Sequence, residues 1–369
     1  MDERVLCERL ITYDTSTADG IQSAAGFVKG WLEARDIEVE TATNNGLPVL
    51  AATVGAAKGP TIVLHGHLDV VPAEPAQFEP RLDGDKLYGR GAYDMKGGLA
   101  AMMCATRDLA AQDRVKVHFV CCCDEESEED QNRGSDYIAR EMGYLGDFAI
   151  TGEPTDLQIG VQAKGVLLLR IDVRGRAAHG STPWLGDNAV LKAMDVFRGI
   201  QSLPFARESS EMFDRPSINL GRVSGGDVPN KVPDHCVIDV DIRYLPGQDA
   251  DEIMGEVVAI PDTSVKTIFR RDPVVIAKTN PFVMMLAEAA AGKSPAERIS
   301  VGRDGASDIT AWLEQGVPGV EFGPEGAGHH GPEEWVSVSS LERYREALVE
   351  FVQLVGQRRG HDAPQLRVA

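Results

Sequence analysis

Apolar residues recur at helical spacing over 3–13 and again over 20–35, where they fall at Ile21, Ala24, Phe27, Val28, Trp31 and Leu32. Two short strand patterns, 37–42 and 49–54, flank the turn Asn44-Asn45-Gly46. Thr61-Ile62-Val63-Leu64, bounded by Gly59-Pro60, has no polar face and predicts a buried strand. A loop punctuated by Pro and Gly runs through residue 92. It leads to a helix of small residues and Met over 99–111, then to strands over 115–123 and 148–151. From about 164 the pattern changes. A strand over 166–173 alternates in its later half, an amphipathic helix follows over 187–203, then strands over 217–223 and 236–244, a helix over 249–260 and a strand over 264–270. That order, β-α-β-β-α-β, predicts a ferredoxin-like α+β unit. After about 272 the first pattern resumes, with helices over 281–291, 306–315 and 338–356, a strand over 319–322, and a charged tail from Gln357 that is expected to fray. The expected architecture is an α/β body made of 1–163 and 273–369, a central mixed sheet flanked by helices, interrupted by an inserted domain over 164–272.

Composition narrows the partners. The 369 residues leave room for two domains, and 57 acidic residues against 37 basic ones give a formal charge of −20. Such a surface repels phosphate backbones and anionic headgroups, so nucleic acid and membranes are not expected partners. Met1-Asp2-Glu3-Arg4-Val5-Leu6 lacks the basic start and apolar core of a signal peptide, and no apolar run approaches the ~20 residues that span a bilayer. Cys7, Cys104, Cys121, Cys122, Cys123 and Cys236 show no paired C-x-x-C spacing. The adjacent three end an apolar run and predict small core residues rather than a disulfide or a metal site. A cytoplasmic location is expected.

The chemistry collects where predicted strands end. His65-Gly66-His67-Leu68-Asp69 closes the strand over 61–64, at the edge of a sheet where open α/β folds bind ligands. Imidazole and carboxylate suit a zinc-like metal, and an Asp two residues on can fix the tautomer of a ligating His. Asp94, in Gly89-Arg90-Gly91-Ala92-Tyr93-Asp94-Met95-Lys96-Gly97-Gly98, is either a helix cap or a metal contact. Asp124-Glu125-Glu126 follows the strand over 115–123. Two adjacent carboxylates there can divide labour, one binding metal and the other moving protons, whereas Glu128 to Asp130 reads as a solvated face. Gly152-Glu153-Pro154 ends the strand over 148–151, and His329-His330-Gly331-Pro332-Glu333-Glu334 lies beyond the strand over 319–322. His67, Asp94, Glu126, Glu153 and His330 together offer two imidazoles and three carboxylates. That donor mixture suits a pair of zinc ions sharing one carboxylate, not calcium or magnesium alone. Glu125 is left to deprotonate water and protonate a leaving amine. No G-x-S-x-G pattern offers a serine nucleophile and no Walker pattern offers a nucleotide site.

These motifs, spread from residue 65 to 334, resemble the two-zinc amidohydrolase family that includes acetylornithine deacetylase, succinyl-diaminopimelate desuccinylase, aminoacylase-1 and carboxypeptidase G2. The resemblance implies a zinc-peptidase-like catalytic domain with an inserted lid and dimerisation domain. It implies that His67, Asp94 and Glu153 hold one zinc and that Asp94 bridges to a second held by Glu126 and His330, with cobalt or manganese as possible substitutes. Asp69 would orient His67, Glu125 would be the general base and acid, and the Asp94–Met95 peptide would be cis. His330 is preferred to His329 because His-Gly-Pro-Glu-Glu is similar to the family's His-x-Pro-Asp-Glu. By the same resemblance His179 would reach into a partner subunit's site to steady the oxyanion, and Asn230 and Arg243 would contact substrate, Arg243 through a carboxylate. Ser307 lies in Gly305-Ala306-Ser307-Asp308, similar to a Gly-Thr-Ser-Asp substrate loop from which Ala306 departs. The expected activity is zinc-dependent hydrolysis of an amide in an N-acyl amino acid or small peptide bearing a free carboxylate, by a homodimer. A dipeptidase or carboxypeptidase and a desuccinylase remain alternatives, as does a catalytically silent metal-binding protein.

Overall fold

The computed structural model describes residues 2–126, 132–293 and 300–358; the expectations for Glu128 to Asp130 and for the tail beyond residue 358 lie outside them. Helices α1 (Glu3–Ile11) and α2 (Ala18–Glu33) are capped by Asp2 and Thr17, whose side chains accept from the N–H groups of Val5 and Gly20. Strands β1 (Val39–Asn44) and β2 (Leu47–Gly55) pair Asn44 with Leu47, so the turn is the two residues Asn45-Gly46. Both have positive φ, 49° and 82°, the geometry in which Asn-Gly closes a hairpin.

Strand β3 (Thr61–His67) is buried from Ile62 onward, as expected of a strand covered on both faces. The loop expected through residue 92 instead holds a hairpin, β4 (Arg81–Asp83) and β5 (Lys86–Tyr88). Its strands are three residues long and mostly exposed, too short for any periodicity to register. Helix α3 (Gly97–Asp108) starts two residues earlier than expected. A Cβ on Gly97 would lie 2.4 Å from the carbonyl oxygen of Ala92, and one on Gly98 would lie 2.5 Å from that of Gly152. Gly98 therefore lets this helix start press against the loop after β7, and Gly97 lets it follow directly on the turn at Ala92. Strand β6 (Lys116–Cys122), helix α4 (Gly134–Arg140), and strands β7 (Phe148–Thr151) and β8 (Ile159–Ala163) complete the first segment.

The insertion follows as β9 (Gly165–Arg174), the two-residue β10 (Ala178–His179), α5 (Ala189–Gln201), β11 (Ser217–Gly225), β12 (Lys231–Val232), β13 (His235–Tyr244), α6 (Ala250–Val258) and β14 (Thr263–Arg271). The sheet order β11-β13-β9-β14 is antiparallel throughout, which is the ferredoxin-like arrangement. It has its own core, in which Leu167, Leu169, Ile171 and Ile238 meet Val196 and Ile253.

The last segment contributes β15 (Val274–Val275), α7 (Pro281–Ala290), β16 (Ser300–Arg303), α8 (Thr310–Leu313), β17 (Gly319–Glu321), β18 (Gly326–Ala327), β19 (Trp335–Ser337) and α9 (Val338–Arg358). The helix expected over 306–315 is thus only α8, because Ser307 and Asp308 are held as loop: the Ser307 hydroxyl accepts from the Ile309 N–H and its carbonyl from the Thr310 hydroxyl. The main sheet runs β1-β2-β6-β3-β7-β17-β8-β15, with β16 beside β8. Parallel β6, β3, β7 and β17 form its centre, and antiparallel pairs close its ends, so the sheet is mixed. Helices α1 and α9 pack on α3, and α7 packs on α9. Cys121, Cys122 and Cys123 are buried, and all six cysteines are free thiols.

Candidate active site

The register of the central strands gathers the donors. His67 pairs with Cys122 across β3 and β6, and His65 pairs with Thr151 across β3 and β7. Residues just past these ends therefore share one sheet edge, which is where Glu125, Glu126 and Glu153 stand. Asp94 enters from the loop before α3. The Asp94–Met95 peptide is cis, as the resemblance implied. His330 enters from the loop between β18 and β19, with its backbone left-handed at φ 61°.

Asp94 sits between the two imidazoles. Its Oδ1 is 3.3 Å from His67 Nε2 and its Oδ2 is 3.5 Å from His330 Nε2. Glu153 Oε1 lies 3.6 Å from His67 Nε2 on one side, and Glu126 Oε1 lies 3.0 Å from His330 Nε2 on the other. The five expected donors thus divide into two triads that share Asp94. Asp69 is behind them. His67 Nδ1 lies 3.0 Å from the Asp69 carbonyl oxygen and 3.5 Å from its carboxylate, so Nδ1 carries a proton and Nε2 is the nitrogen that faces Asp94. Asp69 also accepts from the Glu126 N–H at 2.8 Å, which ties the two loops together.

The electrostatics suit a cation. Burial and the adjacent Asp94 push the Glu153 carboxyl well above the ordinary range. Burial alone would lower His67, yet Asp69 and Asp94 hold it well above its usual value, and Asp94 with Glu126 raises His330 to about 10. Three carboxylates around two imidazoles in a half-enclosed space call for positive charge, and nitrogen with carboxylate oxygen is the donor set of zinc-type ions. The residues present fit a pair of divalent metals.

Glu125 belongs to neither triad. Its Oε1 is 3.2 Å from Arg133 Nη1, and burial raises its carboxyl to about 8 despite that cation. A cavity of about 420 Å³ opens over both triads and Glu125. Leu168, Val166 and Phe269 of the inserted domain form its apolar wall, and the end of β16 with the loop after it, residues 302–306, forms another side.

The remaining expected contacts divide. Arg243 lines this cavity, but its guanidinium is held by Asp241 through two hydrogen bonds of 2.8 and 3.0 Å. Ser307 is buried and faces inward, its hydroxyl accepting from the Ile309 N–H. His179 and Asn230 stand together elsewhere. Strands β10 and β12 pair across them, Gly180 N–H donates to the Asn230 carbonyl at 2.7 Å, and exposed His179 contacts the Ser181 hydroxyl. Neither lines the cavity of its own chain. His329 packs at a tilt against Tyr93, 6.0 Å between ring centroids, and its neighbour His330 makes the contacts with Glu126 and Asp94.

Several cavity residues carried no sequence signal. Arg133 joins Glu125 to Asp308, which lies 3.4 Å from it, and stacks 4.8 Å over Phe269 of the inserted domain. Arg303 donates to buried Glu321 at 2.8 Å. Behind the sheet edge His65, Cys122 and Asp308 form a second, fully buried group of metal-type donors. There the Arg133 cation already neutralises Asp308, and burial drives the Cys122 thiol well up, so the group is a satisfied polar cluster.

A sheet edge carrying two groups of imidazole and carboxylate donors, with a further glutamate beside them, has the make-up of a metal-dependent hydrolase site. The chain matches the model of peptidase family M20/M25/M40 over residues 63–354 and belongs to that family. It is 27% identical over 364 residues to acetylornithine deacetylase of Proteus mirabilis (strain HI4320), covering 92% of each chain. It is also 27% identical over 304 residues to a putative LysW-lysine/LysW-ornithine hydrolase of Pyrobaculum aerophilum, covering 82% of this chain and 84% of that one. Among solved structures, an M20 family metallo-carboxypeptidase from Sulfolobus solfataricus superposes with TM-score 0.81 at 19% identity, covering 97% of this chain and 100% of the other. Aminopeptidase PepT from Bacillus cereus ATCC 10987 superposes at 0.78 and 22% identity, covering 96% and 98%. The protein is a hydrolase of the metallopeptidase and deacylase class. No helix of the described residues is long and apolar enough to cross a membrane.

Proposed function

We propose that the protein hydrolyses the amide bond of an N-acyl amino acid or small peptide with a free carboxylate, using two zinc ions. The observation that carries this reading is Asp94 standing between His67 and His330 with one oxygen toward each. His67, Asp94 and Glu153 would hold one ion and Asp94, Glu126 and His330 the other. Bound there, the ions would supply Lewis acidity toward a carbonyl oxygen and a water molecule. Glu125 would take the proton of the attacking water and pass it to the leaving amine, a role that suits a carboxyl raised by burial. Asp69 keeps the His67 proton on Nδ1. Arg243 is the candidate anchor for the substrate carboxylate, which would have to share the guanidinium with Asp241.

Residues 164–272 are read as a lid and pairing domain between the catalytic segments 1–163 and 273–369. Pairing as a homodimer is supported by exposed Trp184, Leu185, Leu191 and Val228 on that domain, and by the edge strand β11. His179 and Asn230 would then serve a partner's site. Free, buried thiols at all six cysteines suit the cytoplasm.

The test is turnover of N-acetyl-, N-succinyl- and dipeptide substrates by zinc-loaded protein, with and without a chelator. One favoured acyl group and no dipeptide cleavage would identify a deacylase, and broad dipeptide cleavage a peptidase. Turnover that survives removal of the metal would sink the mechanism, and silence across the panel would favour the metal-binding protein without activity.

A further inference from the structure

Glu334 is 2% exposed, and its carboxylate meets four donors. Oε1 accepts from the backbone N–H groups of Tyr93 and Asp94, each at 3.0 Å. Oε2 accepts from the Gly91 N–H at 2.9 Å and from Arg90 Nη1 at 2.8 Å. Two carboxylate oxygens offer about four acceptor sites, so this group is saturated. Three of the donors are main-chain N–H groups of one short turn, aimed at one anion as in a backbone nest. Gly91 makes that turn possible: its φ is 78°, and a Cβ there would lie 2.7 Å from Val70 and 2.9 Å from Lys96.

The other end of the device grips the opposite loop. Arg90, 3% exposed, also donates through Nη2 to the carbonyl oxygen of His330 at 3.2 Å. That carbonyl belongs to the residue held in the left-handed region, a conformation that costs a non-glycine residue energy and needs a partner to hold it. Glu334 and Arg90 therefore span the turn that presents Asp94 and the loop that presents His330. Gln77 adds a strut, donating to the Gly331 carbonyl at 3.1 Å and accepting through its own carbonyl from the Arg90 N–H at 2.8 Å.

We infer that Glu334 and Arg90 are positioning residues of the metal centre: the clamp fixes Asp94 relative to His330, and its loss weakens the second metal site before it harms the fold. The inference rests on the two-metal reading above. Neither side chain is among the donors. They act through the residues that are, as outer-shell partners of metal ligands do, whose loss typically costs about 10–100-fold in metal affinity. The carboxylate is suited to this because it fixes Asp94 by its own main-chain N–H, in the very residue that carries the shared side chain. A neutral amide is not equivalent. In Glu334→Gln one acceptor oxygen becomes a donor that faces the backbone N–H groups or Arg90. In Arg90→Lys the charge survives, but a single ammonium replaces the planar fork that reaches Glu334 and His330 together.

The test is stepwise titration of metal-free protein with Co(II), followed by visible absorption, with the melting temperature measured alongside. Expected are two equivalents in the wild type, a second equivalent bound at least about tenfold more weakly in Glu334→Gln, and a smaller loss confined to the second equivalent in Arg90→Lys. Excess Co(II) should recover turnover in both variants, which a lost fold would not allow. Glu333→Gln, a change in an exposed neighbour, should titrate as the wild type. Wild-type affinities for both equivalents in Glu334→Gln and Arg90→Lys would overturn the clamp while leaving the two-metal reading intact. A Glu334→Gln protein too unstable to titrate leaves the decision to Arg90→Lys. Fewer than two equivalents in the wild type itself would overturn the two-metal reading and the clamp with it.

Discussion

Glu125 and Glu126 are adjacent in sequence and differ in everything that matters for their roles. Glu126 points at His330, while Glu125 points at Arg133 and opens onto the cavity. On the proposed mechanism, replacing Glu125 by Gln removes the proton acceptor and keeps the shape, so kcat should fall by about 10²–10⁴-fold while metal content stays at the wild-type level. Metal analysis of the purified variant beside its kinetics checks this, and a variant that keeps substantial turnover would show that the proton acceptor is misassigned. At this scale the sequence was most readable. His67, Asp94, Glu126, Glu153 and His330 stand where an apolar run ends or a glycine-rich turn begins, and those signals are local. Arg133, Asp241 and Arg303 reach the cavity through pairings with Glu125, Arg243 and Glu321. Such partners become neighbours only when strands, loops and the insertion come together, so nothing local marks them. Glu334 was visible only as the last letter of a motif, with its four donors contributed by residues 240 or more positions away.

Elements followed the same rule: long ones with a clear period were legible, and short ones built by tertiary contact were not. Strand β3 and helix α9 matched their patterns, whereas β4 and β5 did not register at all. Yet the turn between these two short strands does structural work at the start of α9. Asp85 Oδ1 accepts from the Ser339 N–H at 2.8 Å, and its Oδ2 accepts from the hydroxyls of Ser337 at 2.6 Å and Ser339 at 2.8 Å. Ser337 in turn accepts from the Ser340 N–H, the bond that a local Ser cap predicts. Partial burial would raise the Asp85 carboxyl, but the Ser337 and Ser339 donors outweigh it and hold it below its usual 3.8. A group with a depressed folded pKa stabilises above its unfolded pKa, and that contribution is lost as pH falls through the folded value. Asp85→Ala should therefore destabilise by about 1 kcal/mol near neutral pH. The gap from the wild type should shrink steadily below pH 4. Chemical denaturation of both proteins across that range tests the sign, and a gap that widens in acid would show that the charge is not what stabilises the helix start.

At the scale of the whole molecule the cavity has a wall from each domain, but His179 on β10 and Asn230 just before β12 stand outside it. These were the expected residues least readable from local pattern, because their meaning depends on what the inserted domain faces. Either these residues are ordinary surface groups or they complete the site of another copy, and the two cases separate cleanly in mixed assemblies. Glu125→Gln leaves His179 intact, and His179→Ala leaves Glu125 intact, so each homodimer should be crippled for a different reason. In a mixed dimer one site would take Glu125 from the His179→Ala chain and His179 from the other. Random exchange of equal amounts makes about half the dimers mixed, each with one complete site, so the mixture should recover about a quarter of wild-type activity. Recovery should follow the rate of subunit exchange and fail when the two variants are separately cross-linked before mixing. If the mixture stays at the sum of its inactive parts while exchange is demonstrated by mass, His179 acts within its own chain or not at all. A wild-type protein that sediments as a monomer would exclude the shared site outright, since no second copy would then be present to receive His179.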